Sequence, residues 1–280
     1  MKRSLNLGYS PCPNDTYIFY ALAEGRIDLA PCRFEILLAD VEELNRRARQ
    51  KALDITKVSI HAILRLLEDY WLLRAGGAMG RGCGPLVVAK RPTTMEELRN
   101  KTIAIPGKLT TANLLLQLQG THRGPCVEML FNDIMPAVAA GRVDAGVIIH
   151  EGRFTYSGLG LHLVLDLGSW WEKETGLPLP LGGIVMKRDL GHDAARFVET
   201  KIRESLLYTR TNLQEAWPYI KSHAQEMEPE IIRRHIDMFV NDFSVDVGAE
   251  GEQATRFLLE AAARQENLPM PTKGIFWDQS

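Results

Sequence analysis

Two short segments share one form: Leu86-Val87-Val88-Ala89-Lys90-Arg91 and Gly183-Ile184-Val185-Met186-Lys187-Arg188. Each is an apolar run of strand length closed by Lys-Arg, and the stretch between them has a strand–helix alternation of its own. A chain that leaves one sheet, builds a second and returns must cross between them twice. A matched pair of apolar segments is what two such crossings look like. The pair predicts a discontinuous larger lobe, residues 1–88 with 189–280, and a smaller lobe, residues 89–188, inserted into it. The alternative is two unrelated strands. At 280 residues the chain is long enough for two lobes of roughly 100–200 residues each.

Strand–helix alternation followed by a helical carboxyl-terminal part argues for an α/β fold with mainly parallel sheets and a cleft between the lobes. Leu5–Tyr9 reads as the first strand. Pro11 and Pro13 argue against helix in the loop after it, so Asn14, Asp15 and Thr16 become candidate N-caps for a helix from Tyr17 to about Glu24. Leu53–Ile55 reads as a short strand, Thr56–Ser59 as a junction and Ile60–Leu67 as a helix. The glycine-rich Gly76–Gly84 leads into a strand, whereas a phosphate loop leads into a helix, so it reads as a mobile connection. Thr110 and Thr111 open a helix over Ala112–Gln119, and a strand spans Ala145–His150. Gly168–Leu181, with Trp170 and Trp171, reads as turns. Helices are expected at Ala194–Asn212, Leu213–His223, Pro229–Val240 and Ala249–Arg264, the last ended by Pro269 and Pro271.

The net charge of −2 argues against a nucleic-acid or membrane-surface partner, which would demand a basic excess. Cys12, Cys32, Cys83 and Cys126 form no C-x-x-C pair, and no H-E-x-x-H is present, so neither a metal nor a cofactor is expected. Lys2-Arg3 resembles the start of an export signal, but Asn6, Gly8 and Ser10 break the apolar run that follows, which predicts a cytoplasmic protein.

Val143–Gly152 carries the sharpest chemical hint. Its small and apolar residues suit a strand buried on both faces, and the run stops abruptly at His150. A histidine at the carboxyl end of a buried strand stands where open α/β sheets bind ligands. The plainer reading is a capped strand end with a satisfied imidazole. Glu151, next along a continuing strand, would face the other way and is not counted as its partner.

Three loops run strand, polar turn, helix: Ser10–Thr16, Thr56–Ser59 and Lys108–Thr111. Helix starts favour anions through unpaired amides and the helix dipole. Ser10, Ser59, Thr110 and Thr111 would add hydroxyl donors and Lys57 a charge, unless each hydroxyl merely caps its own helix. Together they predict a polar cleft for a small carboxylated molecule. His61, His122, His192, His223 and His235 are weaker candidates than His150, the last three because they fall in the helical part expected to be exposed. Trp170 or Trp171 either stacks on a flat ligand or packs ordinarily.

Ser10-Pro11-Cys12-Pro13-Asn14-Asp15-Thr16, Thr110-Thr111, Ile149-His150-Glu151-Gly152-Arg153-Phe154-Thr155-Tyr156 and Asp246-Val247-Gly248 resemble the 1,4-dihydroxy-6-naphthoate synthases of menaquinone biosynthesis, the MqnD family. The likeness runs nearly end to end. It implies a bilobal fold of the type II periplasmic-binding-protein kind, used as a carbon–carbon lyase of the futalosine route that splits cyclic dehypoxanthinylfutalosine. It also implies that His150 is the catalytic base and that Lys57-Val58-Ser59 and Thr110-Thr111 hold the ligand. Ser10, Asn14 and Asp15 of the first loop are counted with them as substrate-binding. The alternatives are a non-catalytic small-anion receptor of the same fold and a sister chorismate dehydratase.

Overall fold

A computed structural model of the chain describes residues 3–224, 228–270 and 272–279. Met1, Lys2 and Pro271, which entered the expectations above, lie outside them. The chain begins with β1 (Arg3–Tyr9), α1 (Pro13–Ala23), β2 (Cys32–Leu38), α2 (Val41–Arg49), β3 (Ile55–Ser59), α3 (Ile60–Ile63), β4 (Tyr70–Leu72) and β5 (Ala78–Gly80). A second run follows: β6 (Leu86–Ala89), β7 (Ile103–Ile105), α4 (Thr111–Gln119), β8 (Cys126–Glu128), α5 (Phe131–Ala139), β9 (Ala145–Ile148), α6 (Gly152–Thr155), β10 (His162–Asp166) and α7 (Leu167–Thr175). After β11 (Leu179–Lys187) come α8 (His192–Thr211), α9 (Leu213–His223), α10 (Pro229–Phe239), α11 (Asp242–Val245) and α12 (Gly248–Glu266).

Two sheets result. The first has the order β2-β1-β3-β11-β4, with β5 also paired to β11, and the second β10-β6-β9-β7-β8. Both are mixed, which corrects the expectation of mainly parallel sheets. β1 runs parallel to β2 and β3, and β7 to β8 and β9, but every pairing made by β6 or β11 is antiparallel. The cause is the crossing itself. Pro85, Leu181 and Gly182 line the space between the lobes, so β6 and β11 each enter their sheet at the cleft and run away from it. β1 and β3 carry residues to the cleft at their carboxyl ends. β6 already belongs to the second sheet and β11 to the first, so the crossings fall before Leu86 and Leu179 rather than at 88–89 and 188–189.

The largest apolar core runs through both lobes, joining Val58 and Ile60 to Val87, Ile103 and Leu114. α12 packs against α3, α4 and β11, and its Leu258, Leu259 and Ala262 are fully buried in that core. A second core lies between the first sheet and α1, α8, α9 and α10.

Three local differences bear on the site. α1 starts at Pro13, because proline at the first helical position has a suitable φ and lacks only an amide that would be unpaired there. Asn14, Asp15 and Thr16 therefore lie within its first turn, not before it. Thr56–Ser59 is strand, not junction, and buried throughout. The glycine-rich stretch contains β5, likewise buried and paired to β11. Farther from the site, the expected turns around Trp170 and Trp171 are α7, capped by the Asp166 carboxylate on the Gly168 and Ser169 amides.

Candidate active site

Every residue singled out for binding or catalysis lines one cleft between the lobes. Ser10, Asn14 and Asp15 arrive at the end of β1 and the start of α1, and Lys57, Val58 and Ser59 at the end of β3. Thr110 and Thr111 come from the amino terminus of α4, and His150 from the loop after β9. His235 of α10 and the apolar Ile149, Leu181 and Phe239 complete the parts of the lining that matter below.

On the first-lobe wall the polar groups are joined in a chain. Lys57 Nζ donates to Asp15 Oδ1 at 2.7 Å, with both side chains almost wholly buried. Ser10 Oγ donates to Asp15 Oδ2 at 2.8 Å, and Asn14 Nδ2 to Asp15 Oδ1 at 2.9 Å. His235 Nε2 donates to Asn14 Oδ1 at 2.9 Å. Lys57 also reaches the Gly76 carbonyl at 3.3 Å. Gly182 makes room for the lysine: a Cβ there would stand 3.1 Å from Lys57 Cε and 3.0 Å from the Val58 carbonyl oxygen. The lysine charge is thus neutralised by a buried carboxylate and is not an unpaired cation awaiting a ligand.

His150 is held differently. β9 ends at Ile148, and His150 takes a left-handed φ of 55°, a conformation histidine adopts more readily than most non-glycine residues. Its Nδ1 lies 3.3 Å from Cys12 Sγ of the opposite lobe, and its Nε2 is buried without a hydrogen-bond partner among the described residues. The Phe131 ring packs edge-on against it at 4.7 Å. Burial, and after it the Glu151 carboxylate, push the Cys12 thiol well above its ordinary range. The sulfur therefore stays protonated, and no thiolate–imidazolium pair forms. Arg153, on the turn that follows, donates to the Gly84 and Gly82 carbonyls and pairs with Asp166, tying the His150 segment to the interlobe connection.

The backbone turn at His150 also corrects the placement of Glu151. Alternation along a strand no longer applies, and a Glu151 oxygen, Cys12 Sγ and a His150 nitrogen lie within 4.8 Å of one another. Among the described residues they are the group of this kind close enough to share a metal ion, and Glu151 Oε1 is buried without a partner.

The expected hydroxyl donors are mostly spoken for. Ser10 gives its proton to Asp15, Thr110 to the Gly107 carbonyl at 2.7 Å and Thr111 to the Leu181 carbonyl at 2.7 Å. Ser59 Oγ accepts from Asn45 Nδ2 at 3.2 Å and keeps its proton to give. Thr110 caps α4 by accepting from the Asn113 amide, so the first amides of that helix, Thr111 and Ala112, have no partner within it and border the cleft. Lys108 is exposed beside Glu128, away from the cleft.

Of the other histidines, His61 braces Thr110 and Glu266, and His122 meets the Lys101 carbonyl. Trp171 is buried, donates to the Pro178 carbonyl and packs on Phe257, so its role is packing. His235 was expected to be exposed and is 1% exposed, in the cleft. Its signal was in the sequence: Ile232, His235, Ile236 and Phe239 recur at helical spacing, which places the histidine on the buried stripe of α10.

A family model for menaquinone biosynthesis matches residues 5–264. The chain is 49% identical over 269 residues to a 1,4-dihydroxy-6-naphthoate synthase of Thermus thermophilus, covering 96% of this chain and 97% of that protein. To the synthase of the same name from Streptomyces coelicolor it is 43% identical over 271 residues, 95% of each chain. Protein AF1704 from Archaeoglobus fulgidus superposes with a TM-score of 0.89 at 36% identity, over 95% of this chain and 98% of that one. The alkanesulfonate-binding protein SsuA of Xanthomonas axonopodis, bound to MOPS, gives a TM-score of 0.70 at 14% identity, over 95% and 94%. That likeness shows the fold alone, the bilobal periplasmic-binding-protein architecture. With a model spanning the chain from its first strand into its last helix, and with these relatives along nearly its whole length, the chain belongs to the menaquinone-biosynthesis family.

Proposed function

We propose that this protein is a cytoplasmic carbon–carbon lyase that converts cyclic dehypoxanthinylfutalosine to 1,4-dihydroxy-6-naphthoate, with His150 as general base. The observation that carries the reading is the state of His150: it lines the interlobe cleft, its Nδ1 is engaged by Cys12, and its Nε2 is left without a partner among the described residues. For Nε2 to accept a proton, Nδ1 must carry one and donate it to the Cys12 sulfur, an arrangement a protonated thiol allows. Nε2 then removes a proton from carbon beside an electron-withdrawing group. The released electron pair moves into the forming aromatic ring as the bond to the sugar-derived fragment breaks, and that fragment leaves with the bonding pair and takes up the proton held by the imidazolium. Histidine is the side chain that most often serves as such a general base.

The substrate carboxylate is assigned to the Thr111 and Ala112 amides at the start of α4, with Ser59 Oγ as a further donor. The helix dipole adds attraction there. The flat ring system rests against Ile149 and Leu181, which supply apolar area. Lys57, Val58 and Asp15 form the floor, the ion pair fixing its shape.

The test is turnover of cyclic dehypoxanthinylfutalosine, followed by absorbance and mass, for the wild type and His150→Ala. The variant should lose roughly 10²–10⁴-fold in rate while binding the dihydroxynaphthoate within a few-fold of the wild type. Equal turnover would discard His150 as base and keep the activity. Absence of product from the wild type, with binding intact, would turn the reading toward a small-anion receptor or a sister enzyme.

A further inference from the structure

The first-lobe wall contains a group that the proposed proton transfer does not use. His235 is 1% exposed, lines the cleft, and lies with its ring 6.1 Å from that of His150 and 28° from parallel. Its protonation pattern follows from its neighbours. Asp15 is ionised against Lys57 and can only accept, so the Asn14 amide must turn its NH₂ toward Asp15 and its carbonyl toward His235. That carbonyl can only accept, so His235 Nε2 carries the proton. Burial, the His150 ring and the Lys57 charge all disfavour a second proton. Nδ1 is left as a bare lone pair, buried and without a partner among the described residues.

A buried acceptor with nothing to accept from costs free energy unless a ligand supplies the donor. The groups linked to it are already engaged: Ser10 and Asn14 each donate to Asp15, and Phe239 packs on the imidazole as an apolar ring. We propose that His235 is a substrate-contacting residue whose Nδ1 accepts a hydrogen bond from a ligand hydroxyl, and that the Lys57–Asp15–Asn14 chain fixes the tautomer that makes this contact. The inference rests on the function proposed above and gives the cleft a division of labour. The α4 start and Ser59 take the carboxylate, His150 takes the proton, and His235 reads the hydroxyl.

Two conservative variants separate the roles of the two ring nitrogens. An asparagine carbonyl reaches about as far as Nδ1, and a glutamine amide about as far as Nε2. The probes are 1,4-dihydroxy-6-naphthoate and 2-naphthoate, which share the carboxylated ring and differ in the hydroxyls, with binding measured by calorimetry on the full chain. The wild type should favour the hydroxylated probe by about tenfold, the worth of one good hydrogen bond. His235→Asn should keep part of that preference, and His235→Gln should lose it while restoring the link to Asn14. Nitrogen chemical shifts of the wild type should show His235 neutral, with the proton on Nε2, between pH 6 and 8. A charged ring, the other tautomer, or an equal preference in all three proteins would overturn the assignment and leave the lyase reading intact. Failure to bind either naphthoate would remove both.

Discussion

The two walls of the cleft are built on opposite principles. On the first-lobe side Ser10, Asn14, Asp15, Lys57 and His235 form one continuous hydrogen-bonded chain, charge balanced and buried. On the second-lobe side His150 has, among the described residues, Cys12 as its one side-chain hydrogen-bond partner, and that partner comes from the opposite lobe. A linked wall resists rearrangement, because moving one member strands its neighbours without partners in a low-dielectric site. A sparsely tethered imidazole keeps its free nitrogen for chemistry. The contrast is that of a rigid floor and a reactive group brought against it by lobe packing.

The largest expected effect tests the floor. Lys57→Met leaves the Asp15 carboxylate buried without its cation and should destabilise the protein by about 3–5 kcal/mol in thermal or denaturant unfolding. His150→Ala, on the other wall, should cost about 1 kcal/mol or less, since little depends on that side chain structurally. Comparable losses would erase the distinction between the walls.

A second test uses acid. In the unfolded chain His235 takes up a proton as the pH falls through about 6.5, while in the folded protein its pKa is held well below that value. The unfolded state then binds more protons, so the contribution of this residue to stability is fully present above about pH 6.5 and declines on acidification below it, by at most about 1.4 kcal/mol per pH unit. His235→Gln should flatten that slope. An unchanged slope would mean that the histidine is not held neutral.

The smallest effects separate capping from ligand contact. Thr110→Val removes the cap of α4 and should cost about 1 kcal/mol of stability together with some ligand affinity. Ser59→Ala should weaken naphthoate binding by about 0.5–1.5 kcal/mol. Unaltered affinity in both variants would move the carboxylate away from the α4 start.

Much of this arrangement was legible in the residues. The matched apolar segments ending in Lys90-Arg91 and Lys187-Arg188 are β6 and the body of β11, each a strand that follows a crossing, and both are apolar because each is buried in the sheet it joins. The residues expected at the cleft all reach it, because they sit at strand ends and helix starts, where a sheet's carboxyl edge exposes side chains to a ligand. The turn at His150 was less legible, since alternation along an assumed strand put Glu151 on the far face.

Local sequence determined most of the strands and helices and the candidate histidine just after β9, since hydrophobic period and turn chemistry act over a few residues. Only the tertiary structure decided the partners. Lys57 meets Asp15 from 42 residues away, Cys12 meets His150 across 138, and His235 meets Asn14 across 221. Such pairings arise when two lobes and a carboxyl-terminal helix close on one space, and no local pattern encodes which buried polar group will be left for another to satisfy.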